Sequence, residues 1–471
     1  MNTYSVVVFL RLALRLGLVA GLAVLSGCAV ITFNHASNVP AAADSSGEIV
    51  RPRDIVGSNA IALSFSGGGM RAAAFAHGVL LALAQTSTDE GDLLDDVTFI
   101  SSVSGGSLTA AYYGLHGREG LERFRDDVLA RDLESSMRVL PFLPSNFLRI
   151  LGGGLNDNFS ASLDTEVFHG ATFADMFRRP KPDVWIQATD LYNRVAFVFT
   201  PLAFSLICSD LSRYSVAEAV AASMAVPIVF APVVLRTYPQ TCRSSLPDSF
   251  LRVRYDPDAP MLERATEAAV RYYREQPTER FIKLGDGGLS DNLGVSTLLL
   301  ARAFYGSPHA PLTDADAVRI RRLLFIVVDA SRPPGGDWTS REQGPQGADL
   351  ALAGADAAID SAARLAADAF GGTLRAWQDV VIAFRCSLSP EQAVKLGAGA
   401  GWNCRDVKFT LAFVSPDRLD DERLRAAIET TPTRLTLPGE AIDRAVQGGR
   451  DATLNSPLVH EYMRERISRN H

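Results

Sequence analysis

Short apolar runs alternate with helix-like runs between residues 58 and 335. The apolar runs are rich in β-branched and aromatic residues and end in small or polar residues, which predicts strands. The clearest of them read AIALSF, VTFISSV, DVWIQATDL, RVAFVFT, FIKLG and RRLLFIVVDAS. Alanine- and leucine-rich stretches such as AAAFAHGVLLALAQ and SVAEAVAASMAVP follow several of these runs, and we interpret these stretches as helices. This alternation predicts an α/β fold with a mainly parallel central sheet.

The pattern is looser in the last third of the chain. A long alanine-rich helix is predicted over GADLALAGADAAIDSAARLAADAF, strands over DVVIAFRC and VKFTLAFV, and two or three helices after Asp417. We therefore divide the body into a main domain, residues 58–335, and a C-terminal α/β extension, residues 336–471, packed on the same body. A helical region between Leu121 and Pro182 is either a lid over a site or ordinary core helix.

Composition and charge narrow the function classes. The 471 residues are 47% hydrophobic and 21% charged, which is typical of a globular chain with a large core. The formal net charge is −7, so the chain has no basic surplus with which to bind nucleic-acid phosphates. We expect no nucleic-acid partner, and oligomeric state stays open.

The N-terminal segment resembles a bacterial lipoprotein signal. Residues 1–27 contain two arginines and then an apolar run too short to span a bilayer, and the run ends in Leu25-Ser26-Gly27-Cys28. We expect cleavage before Cys28, lipidation of that cysteine, and a tether over residues 28–57. Ala29 resembles the residue of lipoproteins sent to the outer membrane, so the expected location is the bacterial cell envelope. The alternative is an ordinary secretory signal.

Four cysteines remain after Cys28, an even number in a compartment that permits disulfides. Of the three possible connectivities, the simplest joins sequence neighbours, 208 with 242 and 386 with 404. Free buried thiols are the alternative, and no pair has the spacing of a metal site.

The first of three turns that could carry chemistry is Gly67-Gly68-Gly69-Met70-Arg71. Consecutive glycines allow several backbone N–H groups to point at one spot, and a helix start adds positive potential there. Such a spot stabilises an oxyanion. Neither a nucleotide P-loop nor a dinucleotide fingerprint fits the spacing.

The second turn is Ser102-Val103-Ser104-Gly105-Gly106. A nucleophile elbow needs small residues two positions before and two after the serine, because strand and helix pass closely there. Ser102 stands where the usual motif has glycine. Ser104 is therefore the candidate nucleophile.

The third turn is Asp286-Gly287-Gly288. An aspartate at a strand end can take the proton of a serine on a neighbouring strand as a general base. Asp291 is the rival acid, which we instead assign to capping the following helix.

The three turns, in this order, resemble those of the patatin-like phospholipase family. The segment AEAVAASMAVPIVFAPV, Ala217 to Val233, is also similar to a family segment of small residues before proline. The resemblance covers about Ala60 to Ala330. It implies a three-layer α/β/α fold.

Carried over to this chain, the resemblance makes Ser104 the nucleophile and Asp286 the base. It also makes the amides of Gly67, Gly68 and Gly69 the oxyanion donors. Arg71 matches the family's basic position, where it either orients the loop or attracts a lipid phosphate, with packing or a surface ion pair as the alternative. No metal and no organic cofactor is implied.

The resulting hypothesis is a lipid acyl hydrolase acting on phospholipid or another lipid ester at a membrane reached through the anchor. One alternative is an α/β-hydrolase triad completed by His309 or His460; His77 is assigned a structural role. A second alternative is a non-catalytic lipoprotein that binds envelope components.

Overall fold

The fold is built on one eight-stranded sheet, whose strands come from residues 59 to 414. The computed structural model describes residues 35–42, 57–88, 91–134, 159–227, 229–242, 245–334 and 338–466. The strands are β1 Asn59–Phe65, β2 Ser87–Thr88, β3 Gly91–Asp92, β4 Val97–Val103, β5 Asp183–Asp190, β6 Val195–Val198, β7 Val233–Arg236, β8 Phe281–Gly285, β9 Arg322–Val328 and β10 Lys408–Val414. The main sheet has the order β10-β9-β1-β4-β5-β8-β7, with β6 on β5, and β2 and β3 form a separate hairpin.

Helices cover both faces of this sheet. Before β8 they are α1 Gly69–Gln85, α2 Gly105–His116, α3 Arg118–Phe124, α4 Phe159–Leu163, α5 Phe173–Met176, α6 Pro201–Leu206, α7 Val216–Ser223, α8 Asp248–Tyr255 and α9 Met261–Arg274. After β8 they are α10 Gly288–Asp291, α11 Ser296–Phe304, α12 Asp314–Arg319, α13 Ala348–Ser387, α14 Pro390–Lys395, α15 Glu422–Glu429, α16 Gly439–Leu454 and α17 Pro457–Glu465. Alternate residues of β1 enter two different cores, Ile61 and Leu63 on one face and Ala60 and Ala62 on the other. The predicted three-layer α/β/α fold is confirmed.

Five consecutive strands of the sheet pair in parallel, and β6, β7 and β8 join the sheet through antiparallel pairing. β10, β9, β1, β4 and β5 run in one direction, whereas β6 and β8 are antiparallel to β5. Val103 at the end of β4 pairs with Gln187, and Gly285 at the end of β8 pairs with Thr189. Because both strands end beside the same stretch of β5, the residues that follow them are brought together from opposite directions.

The C-terminal residues complete the central sheet. β10 pairs in parallel with β9 along its whole length, and α16 lies against α1. This helix crossing is close: a Cβ on Gly78 would lie 2.0 Å from the carbonyl oxygen of Val446, and one on Gly449 would lie 2.0 Å from that of Phe75. Residues after 335 thus form part of the sheet and of its helical cover.

The sequence-based strand over DVVIAFRC is wrong, because these residues continue α13. Their apolar content suggested a strand, but the buried side chains of Phe370, Leu374, Trp377 and Val381 are spaced as on one helix face, and Arg385 is buried as well. The helix packs this face on the sheet. The other sequence-based strands named above are strands in the structure.

Part of the segment assigned to the tether lies against the body. Asn38 is buried and donates hydrogen bonds to Ser209 Oγ at 2.9 Å and to the Arg236 carbonyl at 2.8 Å, and Pro40 bridges to Ser209. Residues 35–42 are therefore docked rather than a free tether. The signal segment, Cys28 and residues 135–158 of the candidate lid lie outside the described residues.

Both disulfides join sequence neighbours. Cys208 pairs with Cys242, with Cα atoms 5.2 Å apart, and Cys386 pairs with Cys404, with Cα atoms 5.0 Å apart. Among the described residues, no helix has the length and apolar character needed to cross a bilayer.

Candidate active site

Ser104 occupies a strained turn between β4 and α2. Its φ is 49°, a left-handed value that non-glycine residues rarely adopt. The glycines after it are sterically required, because a Cβ on Gly105 would lie 2.0 Å from the Gly69 carbonyl oxygen and one on Gly106 would lie 2.7 Å from that of Ser66. This is the geometry of a nucleophile elbow, in which the serine projects from the end of its strand.

Asp286 meets Ser104 directly. Ser104 Oγ donates a hydrogen bond of 2.8 Å to Asp286 Oδ2, and the amide of Gly288 donates one of 2.8 Å to Oδ1. Burial raises the pKa of the Asp286 carboxyl to about 6, against the opposing effect of these two hydrogen bonds. The carboxylate is therefore ionised at neutral pH and is basic enough to accept a proton.

The turn that carries Asp286 is fixed by hydrogen bonds to the end of α7 and to β5. The amides of Asp286 and Gly287 donate to the carbonyls of Ala225 and Ser223 at 2.8 and 3.0 Å. Thr189 Oγ1 donates to the Asp286 carbonyl at 2.8 Å. These bonds fix the backbone of Asp286, from which its carboxylate reaches Ser104.

The glycine loop reaches the same spot, and its three amides are not equivalent. Gly67 donates its amide to the carbonyl of Asn292 at 3.1 Å. No hydrogen bond to another described residue occupies the amides of Gly68 and Gly69, whose φ angles of 138° and 62° suit glycine. The geometry narrows the candidate oxyanion donors from three amides to Gly68 and Gly69, because that of Gly67 is already bonded.

Arg71 is buried beneath the loop. Its Nε donates to the Ala330 carbonyl at 3.1 Å and its Nη1 donates to the Thr431 carbonyl at 2.6 Å. Burial, with a smaller contribution from the charge of Arg332, lowers the pKa of Arg71 to about 10. Of the roles weighed from the sequence, the structure supports loop orientation; a side chain only 1% exposed does not meet a lipid phosphate.

The rival residues are engaged elsewhere. Asp291 accepts from the amides of Leu293 and Ser296 at 3.0 and 2.6 Å and so caps α11. His77 is buried, which lowers the pKa of its imidazole to about 4. His309 pairs with Asp314, and His460 with the Leu454 carbonyl.

Ser223, at the end of α7, was not assigned a role from the sequence. Its hydroxyl accepts from the amide of Ser104 at 2.8 Å, donates to the Gln187 carbonyl at 2.6 Å, and lies 3.0 Å from Ser107 Oγ. The side chain is fully buried. The small-residue segment before Pro227 contained this serine, but nothing in the sequence indicated its contact with the elbow.

A C-terminal strap, residues 431–436, also holds the glycine loop. The Met70 amide donates to the Arg434 carbonyl at 2.8 Å, and Arg71 reaches Thr431 as described above. The strap is itself tied down by an ion pair between Arg434 and Glu134 and by the Leu435 amide, which donates to Glu134 at 3.0 Å. No group of three or more His, Cys, Asp or Glu side chains converges as a metal site in the part of the chain that the structure describes.

Comparison with known proteins assigns the family. The family model described as patatin-like phospholipase matches residues 63–299, just over half of the chain. The chain belongs to the patatin-like phospholipase family, a family of lipid acyl hydrolases. No curated protein sequence matches the chain significantly.

Among solved structures, the chain is similar to human GIVD cytosolic phospholipase A2. The TM-score is 0.42 at 12% identity, covering 86% of this chain and 60% of the human one. The same protein in complex with methyl gamma-linolenyl fluorophosphonate gives 0.34 at 12% identity, covering 87% and 59%. This chain thus spans about three fifths of the human protein's length.

Proposed function

We propose that this protein is a serine esterase that hydrolyses lipid esters with Ser104 as nucleophile and Asp286 as general base. The observation that carries the proposal is the 2.8 Å hydrogen bond from Ser104 Oγ to Asp286 Oδ2 at a strained elbow. Family membership supports a lipid ester as substrate.

In the acylation step, Ser104 Oγ attacks the ester carbonyl carbon while Asp286 Oδ2 takes the hydroxyl proton. The carbonyl oxygen becomes an oxyanion that the free amides of Gly68 and Gly69 stabilise, each amide contributing about 3 kcal/mol. As the intermediate collapses, the C–O bond to the alcohol breaks and Asp286 returns the proton to the leaving oxygen. An acyl ester on Ser104 remains.

In the deacylation step, water attacks that ester and gives its proton to Asp286. The second tetrahedral intermediate releases the fatty acid and restores Ser104 with the same proton. Asp286 thus acts as base and then acid in each half-reaction, a use that suits a carboxyl whose pKa burial has raised to about 6.

The test is release of fatty acid from defined phosphatidylcholine by the full chain and three variants. We expect turnover by the wild type, and a loss of at least about a thousandfold in Ser104→Ala and Asp286→Asn. Ser101→Ala is the matched control, because Ser101 is a buried serine of the same strand that bonds to Gly294 and Thr297 instead. Equal rates in all four proteins would refute the dyad.

We also propose that the protein is a lipid-anchored component of the bacterial cell envelope. The resemblance of Leu25-Ser26-Gly27-Cys28 to a lipoprotein signal supports this location, as do the two disulfides, which suit an oxidising compartment. Expression with radiolabelled palmitate should label the wild type, whereas Cys28→Ser should carry no label; label on both would contradict the anchor.

A further inference from the structure

An apolar cavity lies between β6 and the helices α6, α9 and α11. Its volume is about 110 Å³, and its walls include Trp185, Phe250, Ala269, Leu300 and Phe304. Ser104 and Asp286 are not among its lining residues. An apolar cavity of comparable size, about 150 Å³, stays dry and binds benzene. The apolar side chains of its walls therefore favour an apolar ligand over a polar one.

The polar groups at one end of the cavity are satisfied within the protein. Tyr273 donates its hydroxyl to Asp190 at 3.0 Å, and Asp190 also accepts from the amides of Tyr192 and Asn193 at 3.0 and 3.2 Å. A ligand has no need to provide a hydrogen bond there. This chemistry fits a hydrocarbon segment rather than a headgroup.

Exposed apolar side chains lie next to the cavity on α9, the helix that forms one of its walls. Thr266, Ala269 and Tyr273 line the cavity from one face of α9, and Leu262 lies one turn earlier on that face. Leu262 is 37% exposed and its neighbour Met261 is 79% exposed. The face of α9 thus continues from the cavity wall to apolar residues in contact with solvent.

We propose that this cavity is a second lipid-binding site, one that takes the end of an alkyl chain. By volume it accommodates about four carbons of a chain, in proportion to the benzene-binding cavity. The chain has two possible sources, a free fatty acid and the acyl tail of a membrane lipid. Binding at this site does not depend on Ser104 being catalytic, so its test is independent of the test of the proposed function.

Trp185 provides the reporter for the test, since it lies in the cavity wall and is one of four tryptophans. Bromine quenches tryptophan fluorescence on contact. The two probes are monomeric 12-bromododecanoic acid and phosphatidylcholine vesicles brominated near the chain ends, each added to the full-length Ser104→Ala protein. Saturable quenching by the acid alone identifies a free fatty acid as the source, and quenching by vesicles as well identifies a membrane tail.

Substitutions in and beside the cavity test whether the quenching arises from a probe bound there. Ala269→Leu fills the cavity and should weaken probe binding at least tenfold, whereas Ala265→Leu, an exposed change on the same helix, should leave it within twofold. Trp185→Phe should remove the saturable component. If Ala269→Leu does not fold, Thr266→Leu obstructs the cavity from a less buried position. Absence of quenching with both probes, or equal effects of Ala269→Leu and Ala265→Leu, would overturn the proposal.

Discussion

At the scale of single residues, the environment of Asp286 determines how the proposed dyad works. The carboxyl is almost wholly buried and has two donors, the Ser104 hydroxyl and the Gly288 amide. Burial disfavours its charge more than these donors favour it, so its pKa rises to about 6. A carboxylate of this basicity accepts a serine proton more readily than an exposed aspartate would.

This pKa predicts the acid limb of the pH–rate profile. Because the base must be deprotonated, kcat/KM on a soluble ester should fall about tenfold per pH unit below pH 6 and level off above pH 7. The profile is measured by initial rates between pH 4 and pH 9. A fall in kcat/KM that begins only near pH 4, the usual range of an exposed aspartate, would contradict a buried base.

Ser223 should position Ser104, the proposed nucleophile, without touching substrate. Ser223→Ala removes the acceptor of the Ser104 amide, so we expect kcat to fall about tenfold with KM nearly unchanged, and stability to fall by about 1–3 kcal/mol. Kinetics on a soluble ester and thermal melting measure the two effects. Ser223→Thr retains the hydroxyl and should recover part of the kcat; recovery of stability alone would indicate a purely structural role.

Part of this candidate site could be predicted from the sequence, and the contacts made across the fold could not. Ser104 and the glycine loop were recognisable because their chemistry and the glycines that make room for it are adjacent in the chain. Ser223 and the Asn292 carbonyl act through contacts across the fold, and the bond from Gly67 to Asn292 joins residues far apart in sequence. Local spacing contains no information about such partners, which is why three equivalent amides were expected.

At the scale of elements, the crossing of α1 and α16 depends on glycine. Gly78→Ala places a methyl group 2.0 Å from the Val446 carbonyl oxygen and should cost about 3 kcal/mol or more. Gly354→Ala is the matched control in α13, where nothing lies within 4 Å of the added atom, and it should stabilise by about 0.5–1 kcal/mol. Denaturant unfolding measures both. A neutral Gly78→Ala would show that the helices separate readily.

The spacing of buried residues distinguishes helix from strand in the C-terminal part of the chain. The run DVVIAFRC was predicted as a strand from its apolar content, yet the helical spacing of Phe370, Leu374 and Trp377 extends to Val381 within it. Packing on the sheet outweighed local propensity. β8 was correctly predicted as a strand, but its antiparallel direction, which brings Asp286 to Ser104, depends on pairing with β5 and is not encoded locally.

At the scale of the whole molecule, we expect residues 58–335 to need the C-terminal residues in order to fold. β10 covers the edge of β9, α16 covers α1, and the strap accepts hydrogen bonds from Met70 and Arg71. A chain ending at residue 335 should therefore be insoluble or unfolded, as judged by soluble yield and circular dichroism. A soluble, active truncation would show that the extension is dispensable.

Covalent labelling of the full chain by an alkyl fluorophosphonate, with the labelled residue mapped by mass spectrometry, tests directly whether Ser104 is the nucleophile. We expect one adduct, on Ser104, absent in Ser104→Ala and formed at least a hundredfold more slowly in Asp286→Asn. An adduct on another residue, or labelling that persists in Ser104→Ala, would contradict this role of Ser104.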